Sequence, residues 1–202
     1  MRIIGVTGPS GAGKGAVSEY MRNAHGFKVI DADLVYHDII SVPSECVSEL
    51  VDNFGRDILN EDGGIDRKAL SKLVFGEANK DKLLLLNKIT HKYVMVEIEK
   101  RIELYRSEGA GVTVIDAPLL IEAGVDKMCE RVIAVIADKL IRAERIARRD
   151  GIDKEAALLR INSQKSDSFY SENCDFLLTN NLQLNELGIV VDKYLRCEGL
   201  IE

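Results

Sequence analysis

The chain has no tryptophan, and Phe and Tyr together make up 5% of its 202 residues. Extended stacking platforms for single-stranded nucleic acid are therefore not expected. Positive charge is also scarce. Lys and Arg number 27 against 33 Asp and Glu, a formal net charge of −6, which argues against coating a duplex or an anionic membrane. The four cysteines, Cys46, Cys129, Cys174 and Cys197, form no C-x-x-C pair, and His25, His37 and His91 are scattered. A zinc site or a disulfide framework is not expected, and the thiols read as buried or incidental in a reducing compartment. No apolar run approaches the length of a membrane span. The first apolar run is short and passes straight into glycines, unlike a secretory signal. These absences point to a cytoplasmic protein with no nucleic-acid or membrane partner and no obligate protein partner. What remains, 46% apolar and 30% charged residues, is the composition of one globular domain of ordinary size.

Along the chain, apolar runs alternate with helical spacing. "RIIGVT" reads as a buried strand, "KGAVSEYMRNAH" as a helix ending near Gly26, and "FKVIDAD" as a second strand carrying two carboxylates. Strand, loop, helix, strand is a βαβ unit with a right-handed crossover. Strand character returns in "GVTVIDAPLL", "RVIAVIA" and "CDFLLTN". Five strands separated by helices predict an α/β fold, a doubly wound five-stranded parallel sheet. The sheet-bearing core is expected to span 1–33, 110–137 and 172–202. Residues 34–109 are far more than a crossover requires and read as an inserted helical subdomain, or as a cover for one sheet face. Within them Asp66 is placed to cap "RKALSKLVF", and "NKDKLLLLNKITHKYVMVEIEKRIELYRSEG" reads as one long helix or two abutting ones. Residues 138–171 are helical, polar and rich in arginine.

The glycines concentrate where they carry chemistry. Gly8-Pro9-Ser10-Gly11-Ala12-Gly13-Lys14 fits G-x-x-x-x-G-K, between a strand and a helix. Glycine admits positive φ, so successive amides can curl around an anion, and the helix start adds unpaired N–H groups. Lys14 is placed for β- and γ-phosphates. Where a Ser or Thr hydroxyl usually helps hold magnesium the chain has Gly15, followed by Ala16. Magnesium must then rely on phosphate oxygens, water and carboxylates elsewhere. The string "GPSGAGKG" resembles the loops of cytidylate and adenylate kinases, which also carry Gly after the lysine but Thr next.

Candidate carboxylates lie on the same rim, where open α/β sheets collect ligands. Strand alternation is expected to put Asp31 and Asp33 on one side. Asp33 could accept a hydroxyl proton or simply cap "LVYHDII"; Asp31 could hold a metal. Asp116 in "VIDAPLLIEAG" sits where a carboxylate orders magnesium-bound water, with Pro118 and Glu122 in the turn beyond. In "IRAERIARRDG", Arg142, Arg145 and Arg149 share a helical face. They form either a solvated stripe partnered by Glu144 or a lid that spreads transition-state charge.

The ordered strings "GVTGPSGAGKG", "VIDADLVYHDII", "FGRDILNEDGGIDRKALSKLVF", "LNKITHKYV", "IDAPLLIEAG", "RIARRDG", "RINSQ" and "CDFLLTNN" resemble the dephospho-coenzyme A kinase family through nearly the whole chain. The resemblance implies a P-loop kinase type of fold in a single kinase domain of residues 1–202. It implies 34–109 as the acceptor-binding insertion and 138–171 as the lid. The implied reaction moves the γ-phosphate of ATP, with Mg2+, to the ribose 3′-hydroxyl of dephospho-coenzyme A. By resemblance, Asp33, Lys14, Arg145 and Arg149 are catalytic. Gly8, Gly11, Ala12, Gly13, Lys14, Gly15, Ala16, Arg145 and Asn180 bind ATP, with Asn180 on the adenine side. Asp33, His91, Pro118, Leu119 and Gln164 bind the acceptor, with Arg160 beside Gln164 in the same element, and Asp31 and Asp116 hold the metal through water. The family usually has Ser or Thr at Gly15 and Pro at Lys92. Two other readings stand beside this one: a nucleoside monophosphate kinase, from the loop string, and an ATP-binding regulatory protein with impaired catalysis, from Gly15 and Ala16.

Overall fold

The computed structural model describes residues 1–76, 79–181 and 184–202. In chain order its regular elements are β1 (Arg2–Thr7), α1 (Lys14–His25), β2 (Lys28–Asp31), α2 (Ala32–Ser41), α3 (Glu45–Phe54), α4 (Arg67–Val74), α5 (Lys80–Ser107), β3 (Val112–Asp116), β4 (Arg131–Ile136), α6 (Lys139–Asp150), α7 (Lys154–Asn162), α8 (Asp167–Asn173), β5 (Phe176–Thr179) and α9 (Leu184–Cys197). The strands form one sheet in the order β2-β3-β1-β4-β5. Ile4 of β1 pairs in parallel with Val114 of β3 on one side and Arg131 of β4 on the other, and β4 pairs in parallel with β5. The five-stranded doubly wound arrangement expected from the sequence is therefore present. Because the order turns about β1, the loop leaving its C-terminal end lies at the topological switch point, where such sheets bind ligands.

Two compact units make up the chain: Met1–Ile30 with Tyr105–Glu202, and Asp31–Leu104. In the first, strands buried on both faces read as continuous apolar runs. Val17 and Met21 of α1, with Leu187, Val191 and Leu195 of α9, pack on Ile4, Val6, Val114, Ile133, Val135 and Leu178 of the sheet. Elsewhere in this unit, α6 and α7 join through Ala143, Ile146, Ala157 and Ile161.

The second unit has a core of its own, built from Ile40, Val47, Leu50, Ile58, Leu70, Val74, Leu86 and Ile89. Its helix starts follow short polar side chains. Ser44 accepts from the Val47 N–H, and Asp66 from those of Lys68 and Ala69, as capping requires. The long apolar-periodic segment forms a single helix of 28 residues, α5, about 42 Å in length.

One local expectation fails. β2 stops at Asp31, and Asp33 lies in the first turn of α2 rather than on the strand. The Asp31 carboxylate accepts the N–H groups of Asp33 at 2.9 Å and Leu34 at 3.1 Å. Asp31, not Asp33, is thus the cap. Its bonds draw the next residues into a helix and cancel the alternation that would have put both carboxylates on one strand face.

Candidate active site

The loop between β1 and α1 lies hard against its neighbours. Gly8 has φ +134°, and a Cβ there would fall 2.1 Å from the Val135 carbonyl oxygen of β4, so only glycine allows this approach. A turn closes where the Ala12 N–H meets the Pro9 carbonyl at 3.2 Å. Gly13 then introduces α1, which has no side-chain cap and no acidic residue in its first turn. A helix start of this kind favours an anion. Lys14 opens the helix, half-buried, and Gly15 follows, exposed. A Cβ at Gly15 would meet nothing within 4 Å, whereas Ala16 packs against the core beneath the sheet.

A hydroxyl absent from both positions is present one turn later. Ser18 is buried, and its Oγ donates to Asp116 Oδ2 at 2.8 Å. Asp116 ends β3 with 8% exposure. Sequence reasoning passed over Ser18, although its i+4 spacing from Lys14 puts both on one face of α1. In the turn beyond, Thr7 Oγ donates to the Pro118 carbonyl at 3.2 Å, and Leu119 is exposed. Among the described residues no three His, Cys, Asp or Glu side chains gather as a metal cage. The donor set fits a cation that takes most of its ligands from phosphate and water, as Mg2+ does.

The α6 arginines grip the loop. Arg145 Nη1 donates to the carbonyls of Ala12 at 3.2 Å and Asn180 at 3.0 Å. Arg149 Nη2 reaches Ser10 Oγ at 3.3 Å, while Arg149 also pairs with Asp150. The Arg149 guanidinium holds the Asp150 carboxyl down at about 2, and Arg160 pairs with the same carboxylate. Arg142 is buried, and burial lowers its pKa. Its Nε donates to the Ser10 carbonyl at 3.0 Å and its Nη2 to Gln164 Oε1 at 2.6 Å. That same Gln164 oxygen accepts the Ser10 N–H at 3.2 Å. Asn180 Nδ2 donates to the Ala12 carbonyl at 2.8 Å. The stripe is therefore not partnered by Glu144, whose partner is Lys154 at 2.9 Å. Of the sequence candidates in this unit, Arg145, Arg149, Gln164 and Asn180 all converge on the loop of Gly8, Gly11, Ala12 and Gly13.

In the helical unit, Asp33 is exposed and His91 half-buried on α5. Beside it, Lys92 Nζ and the Tyr93 hydroxyl both donate to Glu49 Oε2, at 3.0 and 2.6 Å. These bonds tie α5 to α3 and hold the Glu49 carboxyl below its usual range, the Tyr93 hydroxyl contributing most. Position 92 lies inside α5, where a proline would remove a helix hydrogen bond, and Lys92 gives it a link to α3.

A family profile described as Dephospho-CoA kinase matches residues 2–186. The chain belongs to that family. A dephospho-CoA kinase of Fusobacterium nucleatum is 39% identical over 198 residues, 98% of each chain. A solved Thermus thermophilus structure covers 98% of this chain and 97% of its own at 28% identity and a TM-score of 0.80. The dephospho-CoA kinase of Campylobacter jejuni covers 96% of both chains at 26% identity and a TM-score of 0.63. Membership makes the chain a kinase, a transferase built on the P-loop nucleotide-binding fold. Among the described residues no helix is long and apolar enough to cross a membrane.

Proposed function

We propose that this dephospho-CoA kinase family member transfers the γ-phosphate of ATP to the ribose 3′-hydroxyl of dephospho-coenzyme A. The observation that carries the proposal is the uncapped start of α1, preceded by a glycine loop whose carbonyls are held by Arg145 and Asn180. With its carbonyls drawn outward, such a loop turns its amides to an anion. In this reading the amides of Gly11, Gly13, Lys14 and Gly15, with the Lys14 ammonium, hold the β- and γ-phosphates, and Arg145 and Arg149 spread the charge of the transferring group. Asn180 lies on the adenine side. His91, Pro118 and Leu119 contact the acceptor.

Asp33 accepts the 3′-hydroxyl proton as the oxygen attacks the γ-phosphorus; the bond to the β–γ bridging oxygen breaks and ADP leaves. Asp116, oriented by Ser18, and Asp31 would hold Mg2+ through water. When bound, that cation neutralises charge on the phosphates and keeps donor and acceptor in line. We place the enzyme in the cytoplasm, with ATP and dephospho-coenzyme A as its partners.

The test is an ADP-release assay with dephospho-coenzyme A, run against a panel of nucleoside monophosphates. Turnover with dephospho-coenzyme A alone is expected. A folded protein that binds ATP and turns over with no acceptor, or only with a monophosphate, refutes the proposal. Asp33→Asn is expected to abolish turnover and leave ATP affinity nearly unchanged; full turnover in that variant removes Asp33 from its role.

A further inference from the structure

Arg142 is the one buried arginine of α6. It is a cation with 5% exposure, and its side-chain hydrogen bonds go to neutral acceptors, the Ser10 carbonyl and the Gln164 amide oxygen. A buried cation without a carboxylate on it is costly, and its pKa is lowered by desolvation, with Asp167 the largest opposing charge. Lining the core with Met or Leu would remove that cost. The charge is instead kept directly behind the phosphate loop.

Its bonds form a closed figure with that loop. Arg142 holds the Ser10 carbonyl, Gln164 holds the Ser10 N–H, and Arg142 holds Gln164. Both backbone groups of Ser10 are therefore fixed from outside the loop. Next along, Gly11 packs so closely on α6 that a Cβ there would fall 2.7 Å from the Arg142 carbonyl oxygen. The Ser10 peptide is thus pinned by one side chain from α6 and one from beyond the end of α7.

We propose that Arg142 is a positioning residue for the phosphate chain. It fixes the Ser10 peptide through a fork shared with Gln164, and it keeps a buried positive charge, hydrogen-bonded to no carboxylate, that bound phosphate relieves. Gln164 acts in this reading through Ser10, by its oxygen, rather than by touching the acceptor. The inference rests on the reading that the loop takes the phosphates of ATP.

The test compares phosphate-specific binding with adenosine binding. Calorimetric titrations of metal-free ATP, inorganic tripolyphosphate and adenosine are run on the wild type, Arg142→Met and Gln164→Met. Arg142→Met is expected to weaken ATP and tripolyphosphate about ten-fold or more, ~1.4 kcal/mol, and to leave adenosine within about two-fold. Gln164→Met is expected to weaken ATP and tripolyphosphate in the same direction by less, since Arg142 keeps its charge. Arg142→Met also leaves the Ser10 carbonyl without its donor, so a lower melting point fits either account and the affinity ratio decides. A merely structural brace would leave the ATP-to-adenosine affinity ratio intact, and that result overturns the proposal. If Arg142→Met does not fold, an unchanged ratio in Gln164→Met overturns it alone. A wild-type protein that binds neither ATP nor tripolyphosphate refutes the loop assignment itself, an outcome distinct from equal binding by wild type and variants.

Discussion

Ser18→Ala removes one oxygen atom and little else. Ser18 is buried on α1, and its Oγ meets Asp116 Oδ2 at 2.8 Å, a normal length for an O–H···O bond. A hydrogen bond to a charged partner contributes about 1.5–3 kcal/mol. Alanine regains about 0.5 kcal/mol of helix propensity at the same position. The net loss is then roughly 1–2.5 kcal/mol, which for a domain of this size lowers Tm by about 2–10 °C. Thermal unfolding followed by circular dichroism measures it, and a cycle with Asp116→Asn isolates the coupling between the two side chains. Turnover should fall as well, since the Asp116 carboxylate loses the donor that fixes its rotamer. A coupling energy below about 0.5 kcal/mol, the error of such cycles, would mean that Ser18 and Asp116 do not act together, and the account of how this site manages without a hydroxyl at Gly15 would fall.

Gly15→Ser should fold well, because nothing lies within 4 Å of the added Cβ, and should gain about 0.5 kcal/mol of helix propensity; a Tm below wild type contradicts this. In thiol labelling at pH 8, exposed Cys197 should react first. Cys46, Cys129 and Cys174, pushed up by burial to about 11, about 12 and about 11, should label slowly, with mass spectrometry of the peptides giving the order. The Asp150 carboxyl, whose Arg149 partner depresses it from 3.8 to about 2, should contribute fully above about pH 4 and lose its contribution as pH falls through about 2. A carboxyl-carbon NMR titration reads that midpoint directly, and a value near 3.8 refutes the pairing. Gly8→Ala should empty the site of nucleotide, because its Cβ would meet backbone at 2.1 Å; unchanged ATP affinity refutes the packing described for the loop.

The parts of this molecule governed by local rules could be read from the chain itself. Runs such as "RIIGV" and "RVIAVI" announce strands covered on both faces, and Gly26 and Asp66 announce a helix end and start. Legibility stopped where two distant segments set each other's roles. Whether Asp31 or Asp33 caps α2 depends on where β2 ends, and local spacing does not contain that. Periodicity put Arg142, Arg145 and Arg149 on one face, but the burial of Arg142 alone follows from α7 packing across Ala143 and Ile146. Gln164 and Asn180 are marked in the sequence by the family resemblance; that both spend hydrogen bonds on loop backbone required the tertiary structure. Ser18 carries no motif signal, because the hydroxyl of comparable loops closely follows the lysine and Ser18 lies a turn beyond it.

The central strand of the sheet is made first and completed late. β1 finds its neighbours only at Val112 and Arg131, and Arg142 reaches Ser10 across 132 positions of chain. A ribosome adding roughly 5–20 residues per second leaves the apolar run "IIGV" unshielded for several seconds of synthesis. Contacts so far apart also slow refolding. Nascent chains stalled before Arg131 should therefore be the species that chaperones hold and proteases cut, and nucleotide added during synthesis can protect the enzyme only after α6 has emerged.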